Sequence, residues 1–425
     1  METPRPARPK AATGRPHCLP PVLLLLLTVP VACGDTGDGA AAGAPGTLDG
    51  PDVIVNAVTE DVFTAGSVVG DRWDTFGRVA SVQFDARSNL HIFDSQADHI
   101  LVVGPDGSLI RTVGGEGDGP GELGDATRPI VARDGSYTVI GSSRIDFFGP
   151  DGGYVRRITL DPMTTGIVIA TMALPDGRLV TSRILRFDQD DDPEEGGWPI
   201  HLFPLDGSAP ELLYTAWKLP EDDDEPRVSG SAESMRMTMA AGRALEPRLD
   251  YDVLTDGRLA LIDSIGYRVK LIAPDGSVTG TIGRPIAPLP VDEEIMEAER
   301  ERYREQRADF LARMRGALDA GRFSMQVERE GAEGLTFAEE VPVLWSLKVD
   351  WEDRIWLGRR DPTGAGGGPI DIVTPGGDYI GTLAPEGLRT PSAFGPDGLM
   401  AYIESDELDV QTVRVVRLVA LEPEG

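Results

Sequence analysis

ASVQFDARSNLHIFDSQADHILVVGPDGSLIRTVGGEGDGPGEL, residues 80–123, holds four strand-length apolar runs: ASVQF, LHIF, ILVV and LIRTV. DARSN, DSQADH and GPDG separate them, and these are turn residues. Four strands joined by tight turns make a small antiparallel sheet that cannot bury both faces alone. It needs neighbours like itself, and the pattern recurs. Further units run over residues 129–160, 170–216, 251–283, 345–383 and 392–421.

Six units in series predict radial repetition rather than a sandwich. The expected fold is all-β: a six-bladed β-propeller over residues 51–425. Units one to five each show four strand signals. Unit six shows three before the chain ends in EPEG. A spare apolar run at Val53–Val58 supplies the missing strand, so an N-terminal strand is expected to close the last blade and remove its exposed edge.

The chain has 425 residues, 26% of them charged, and a formal net charge of −30. That acidity argues against nucleic acid as a partner, because phosphate binding needs a basic footprint. Residues 1–33 read as a signal peptide. Arg5, Arg8, Lys10 and Arg15 precede an apolar run, Leu19–Val31, that is too short to span a bilayer. Ala32-Cys33-Gly34 resembles the end of a bacterial lipobox, with Pro30 where that motif usually has Leu. Lipidation at Cys33 would leave residues 34–50 as a flexible tether. The expected location is the cell envelope, on the outer membrane and periplasmic or surface-facing, with the lipid as the sole membrane contact. Cys18 lies in the signal, so no intramolecular disulfide is available to the remainder.

Two stretches between units, 219–248 and 284–323, do not read as sheet. In the second, a helix is expected at about 292–320, between blades four and five. Asp292 is its N-cap, and Met296, Tyr303, Phe310, Met314 and Leu318 form a narrow apolar stripe. Glu297–Glu301 is a repulsive pair there and Glu299–Arg302 an attractive one.

With the strands of a unit lettered a to d, the a–b and c–d turns lie on one face and the b–c and d–a connections on the other. The first class is minimal and built largely on Asp-Gly. Every insertion falls in the second, so binding is expected on that loop-rich face. The b-strand exits there carry the candidate ligand residues: Asp94, Ser142, Arg183 beside Ser182, Asp263 with nearby Tyr267, Arg359 and Glu404. Trp351 and Trp356 read as blade core or channel lining.

Catalytic and metal motifs are sparse. His91, His99 and His201 stand in unrelated contexts, and no HxH, HExxH or CxxC occurs. GGEGDGPGEL lacks the Lys-Ser/Thr ending of a phosphate loop and reads as an inter-blade turn. DQDDDPEE and EDDDEP are acidic enough for calcium but depart from EF-hand spacing, and read as solvated loops. No cofactor is called for.

FDARSNLHIFDSQADHILVVGPDGSLIRTVGGEGDGPGEL, YDVLTDGRLALIDSIGYRVKLIAPDGSV and the IGRPIAPLPV run before the helix resemble NHL-type six-bladed propellers. They are closer still to the bacterial lipoprotein group labelled six-bladed β-propeller. The resemblance covers about residues 50–421. It implies fold more than function, since that architecture includes ligand binders, scaffolds, lactonases and lyases. The histidine zinc ligands of the lyase branch have no counterpart here. The expectation is a non-enzymatic binding or scaffold propeller for a peptide, glycan or protein. The alternative is a lactonase-type hydrolase with a divalent ion in its channel.

Overall fold

The computed structural model describes residues 48–424, apart from 68–72, 125, 127, 142, 162–165, 186–196, 207, 221–226, 232–233, 240–241, 320–325, 330, 362–366 and 407. The expected signal, Cys33 and residues 34–47 of the expected tether lie outside the described residues, whereas residues 48–50 are described and Arg284 donates to the carbonyls of Leu48 and Gly50.

The Asp-Gly turns fold by one local mechanism. The aspartate carboxylate accepts the backbone N–H two residues on, and the glycine between takes a left-handed conformation. Asp106 Oδ1 accepts from Ser108 N at 3.0 Å with Gly107 at φ 79°. Asp134, Asp151, Asp176, Asp256 and Asp275 do the same for Ser136, Gly153, Arg178, Arg258 and Ser277. Two longer a–b turns share a second design. Asp85 accepts from the N–H groups of Arg87 and Asn89, and Asp350 from those of Glu352 and Arg354. Each buried aspartate then meets the side chain six residues on. His91 Nε2 lies 3.3 Å from Asp85 Oδ2, and Trp356 donates Nε1–H to Asp350 at 2.9 Å.

The described chain is nearly all β with a propeller-like arrangement of sheets and, among the described residues, one α-helix. The first strand is β1 (Ile54–Ala65). Unit one comprises β2 (Val79–Phe84), β3 (Leu90–Asp94), β4 (His99–Val103) and β5 (Leu109–Gly114). Unit two comprises β6 (Arg128–Val131), β7 (Tyr137–Ile140), β8 (Arg144–Phe148) and β9 (Tyr154–Thr159). Unit three comprises β10 (Ile167–Ala173), β11 (Leu179–Leu185), β12 (Gly197–Phe203) and β13 (Glu211–Trp217). Short strands β14 (Arg227–Ser231), β15 (Ser234–Met239) and β16 (Arg243–Ala244) follow. Unit four comprises β17 (Asp250–Val253), β18 (Leu259–Ile262), β19 (Arg268–Ile272) and β20 (Val278–Gly283). Next come β21 (Leu289–Pro290), helix α1 (Glu293–Asp319), β22 (Gln326–Arg329), β23 (Thr336–Phe337) and β24 (Glu340–Val341). Unit five comprises β25 (Leu344–Val349), β26 (Ile355–Arg359), β27 (Ile370–Val373) and β28 (Tyr379–Leu383). Unit six comprises β29 (Ala393–Phe394), β30 (Leu399–Ser405) and β31 (Gln411–Pro423).

Units one to four each form a separate four-stranded antiparallel sheet. Units five and six depart from the expected separate blades and share one eight-stranded sheet, β25-β26-β27-β28-β1-β31-β30-β29. The physical reason is β1. It pairs antiparallel with β31 over its length, Val55 opposite Pro423 and Ala65 opposite Val413. Its first two residues also run parallel to β28, Ile54 beside Thr382 and Val55 beside Leu383.

The buried side chains fall into clusters shared by successive units. Phe93 and Val102 of unit one meet Tyr137 and Phe148 of unit two. Ile145 meets Phe203 between units two and three, and Val180 and Ile200 meet Tyr251 and Leu259 between three and four. Ile262 and Leu271 meet Leu347 and Val373 between four and five. Trp356 and Ile372 meet Met400 and Tyr402 between five and six. Phe84 and Leu90 meet Ala401 and Val415 between one and six, so the series closes on itself. Each fully buried side chain of this size contributes about 1.5–3 kcal/mol.

A buried ionic network fastens the segment that leads into β1. Arg359 clasps the Asp52 carboxylate through both terminal nitrogens, at 3.2 and 2.5 Å. Arg284 Nη1 lies 2.9 Å from Asp52 and 2.8 Å from Asp371, and its guanidinium sits 4.2 Å from the Tyr379 ring centroid. Thr382 donates its hydroxyl to Asp371 at 2.6 Å. Burial opposes the charge on Asp52, but the two arginines hold its carboxyl below the usual range.

Candidate functional site

The b-strand exits are where sequence placed the ligand residues. The structure instead shows the described ones already engaged by their own protein. Asp94, 1% exposed at the end of β3, accepts the N–H groups of Gly77, Arg78, Gln96 and Ala97 at 2.7–3.3 Å. Burial raises its pKa, and those four donors outweigh that and hold it low. Asp263 Oδ2 takes Lys270 Nζ at 2.6 Å and Trp217 N at 2.8 Å. Tyr267 is buried against Asp371, and burial with that carboxylate pushes its phenol far up. Arg359 is held by Asp52. Glu404 accepts from Arg389 at 2.9 Å and Arg414 at 3.3 Å.

The five are thus bonded at different places around the ring. Asp263 faces units three and four, Arg359 and Tyr267 the unit four–five junction, and Glu404 unit six. Ser142 and the side chain of Arg183 lie outside the described residues, as do all of DQDDDPEE and EDDDEP.

The insertions are also folded against the sheets. GGEGDGPGEL is a compact turn closed by Leu123 N to Gly115 O and Gly124 N to Gly117 O, each 2.8 Å. Arg157 donates to the Asp118 and Gly119 carbonyls. Helix α1 has the expected N-cap, Ile295 N donating to Asp292 Oδ1 at 2.9 Å. Ile295 packs on a satellite core of Leu245, Ala338 and Val341, and Glu299 reaches Arg360 of unit five at 3.0 Å. Glu297 and Glu301, expected to repel, share Arg304 at 3.0 and 2.8 Å, which removes the penalty. The attractive Glu299–Arg302 pair forms at 2.5 Å. Of the apolar stripe, Met296 and Tyr303 are half-buried, and the other three side chains lie outside the described residues.

Sequence reasoning passed over the innermost strands β2, β6, β10, β17, β25 and β29. Their outer edges have no ladder partner, and side chains of the next strand fill that role. Gln83 bridges to unit two, donating to Pro129 O and accepting from Val131 N. Asp250 accepts Leu347 N and Asp252 accepts Val349 N, each at 2.9 Å. Lys348 donates to Ser392 O at 2.8 Å. Asp250, Asp252 and Lys348 are half-buried and Arg128, at the start of β6, is exposed. Burial raises both carboxyls and lowers the ammonium, with Arg128 close enough to act on Asp252 and Lys348 together. The available signal was alternation. Asp250 and Asp252, two apart, share one face of a strand whose other face carries buried Tyr251.

On the a–b turn side, contacts run between turns of different units. Arg133 of unit two lies over Trp351 of unit five, 4.4 Å from its ring centroid. Trp351 donates its indole N–H to Phe394 O at 2.9 Å, Ala86 N bonds Arg133 O at 2.7 Å, and Thr255 N bonds Asp353 at 2.8 Å. Among the described residues no group of three or more His, Cys, Asp or Glu is placed to hold a metal ion. No described helix is long and apolar enough to cross a membrane.

No family model and no curated protein matches the chain. Solved structures do. A DUF4221 family member from Bacteroides vulgatus is 10% identical over 88% of this chain and 100% of its own, with a TM-score of 0.48. An exported protein of Bacteroides fragilis is 11% identical over 87% and 96%, TM-score 0.45. A streptogramin B lyase is 13% identical over 86% and 98%, TM-score 0.36. These scores are too low to carry an argument, and the fold rests on the sheets themselves.

Proposed function

We propose that the chain is an exported six-bladed β-propeller of NHL-like type, held at the cell envelope through Cys33, which captures a peptide, glycan or protein at its loop-rich face. The core clusters shared by each successive pair of units support six blades, the eight-stranded sheet being two blades joined through β1. The observation that carries the binding reading is the contact of Arg133 with Trp351. It draws the turns of units two and five together on the turn face, which leaves the loop side as the approach to charged Arg128, Asp250, Asp252 and Lys348.

The lactonase-type alternative would use Asp250 and Asp252 for a divalent ion. Asp252 accepts a backbone N–H on each oxygen and Asp250 on one, and among the described residues no third His, Cys, Asp or Glu joins them, so the pair offers too few ligands for a resident divalent ion.

Immobilised intact protein and a 292–320 deletion, matched by melting temperature, are probed on peptide and glycan arrays. Capture by the intact chain and loss in the deletion is expected. Empty arrays, or turnover of a lactone panel with added divalent ion, would overturn the reading.

A further inference from the structure

Four charged groups stand on the innermost strands: Arg128 on β6, Asp250 and Asp252 on β17, and Lys348 on β25. Enclosed charges ordinarily pair with each other, because an unpaired one is costly to desolvate. None of these four forms an ion pair among the described residues. Asp252 is saturated by Val349 N and Val253 N. Asp250 uses one oxygen on Leu347 N, leaving Oδ1 without a partner. Lys348 uses one of three donors on Ser392 O. The Arg128 side chain has no hydrogen-bond partner among the described residues and is exposed, while its backbone pairs with Ile140.

The arrangement therefore presents two cationic donor sets and one carboxylate oxygen that no described group uses, on strands whose turn ends are bridged by Arg133 and Trp351. An anion alone would meet Asp250 and the field of a chain with net charge −30. A cation alone would meet Arg128 and Lys348. A ligand carrying both signs satisfies all three and is neutral at long range.

We propose that the channel binds a small zwitterion, an α-amino acid or short peptide with both termini free, its carboxylate on Arg128 and Lys348 and its ammonium on Asp250. The proposal rests on the loop-side approach proposed above and names the charges that a ligand would meet there.

The test is titration calorimetry of the full mature chain with free amino acids and dipeptides, each compared with its N-acetyl and C-amide forms. At least one free zwitterion is expected to bind, with each blocked form weaker by about tenfold or more, the worth of one charge-assisted contact. Amino acids and dipeptides are separate arms, so the better size is read directly. Arg128→Gln touches no internal partner, should fold normally, and should weaken binding by about tenfold. Lys348→Met and Asp250→Asn should act likewise on the carboxylate and ammonium ends. Indifference to blocking, indifference to Arg128→Gln, or absence of binding across the panel overturns the proposal. If the array ligand still binds while no zwitterion does, this inference alone falls. If a zwitterion binds but the 292–320 deletion captures array ligands undiminished, the loop-face reading falls and the channel site stands.

Discussion

The Arg133 guanidinium rests 4.4 Å from the ring centroid of Trp351, joining turns of units two and five that are not neighbours in the ring. The pair is a cross-brace. Arg133→Ala should cost about 0.5–1 kcal/mol, the worth of an exposed cation–π contact, and Trp351→Ala more because Trp351 also bonds Phe394 O. A double-mutant cycle in urea should show positive coupling. Additive effects would mean that the contact contributes nothing.

Arg284→Met should be the most damaging change around the arm before β1. It leaves Asp371, fully buried, without its main counter-charge, and frees the carbonyls of Leu48 and Gly50. A loss of about 3 kcal/mol is expected. Hydrogen exchange should rise first in β1, because Asp52 loses one of its two anchors. Uniform exchange across the ring would contradict this.

Stability should fall as pH drops below about 6.5, the ordinary histidine value. Burial holds the imidazole of His91 below that value, while the nearby Asp85 only partly offsets it. The folded state thus keeps His91 neutral in a range where the unfolded chain takes up a proton. The contribution is complete above about 6.5 and is lost on acidification towards the lower folded value, at no more than about 1.4 kcal/mol per pH unit. Urea midpoints between pH 7.5 and 5 should show a shallower acid decline for His91→Gln than for the parent chain.

Gly177 and Gly276 sit in equivalent positions of Asp-Gly turns at φ 85° and 84°. A Cβ on Gly177 meets nothing within 4 Å, whereas one on Gly276 falls 2.1 Å from Leu213 O. Gly177→Ala should therefore cost only the left-handed strain, about 1–2 kcal/mol. Gly276→Ala should cost clearly more, since backbone of β13 must shift. Equal melting temperatures would count against this packing.

Much of the fold was legible because local chemistry announced it. Asp-Gly-Ser and Asp-Gly-Arg specify a turn within three residues, and Asp292 before an acidic helical run specifies an N-cap. The missing fourth strand of unit six could be counted. The parallel junction of Ile54 with Thr382 could not, as nothing local to either residue encodes it. The site was less legible for the same reason. Asp94, Asp263 and Glu404 look like a polar rim in sequence, yet each accepts donors 2 to 46 residues away. Asp52 and Arg359 meet across 307 positions. The channel charges hide in alternation that also describes any half-exposed strand.

The pairing of β1 with β31 also fixes an order in time. A chain made from its N-terminus presents Ile54–Ala65 long before the partner of that strand, Gln411–Pro423, has been made. Until then units one to five can pack only as an open arc, with β1 and the flank of unit one exposed. The loop that must close spans nearly the whole chain, so its entropy is recovered only in the final step. Closure of the ring is therefore the last step of assembly, because β1 has no antiparallel partner until β31 has been made.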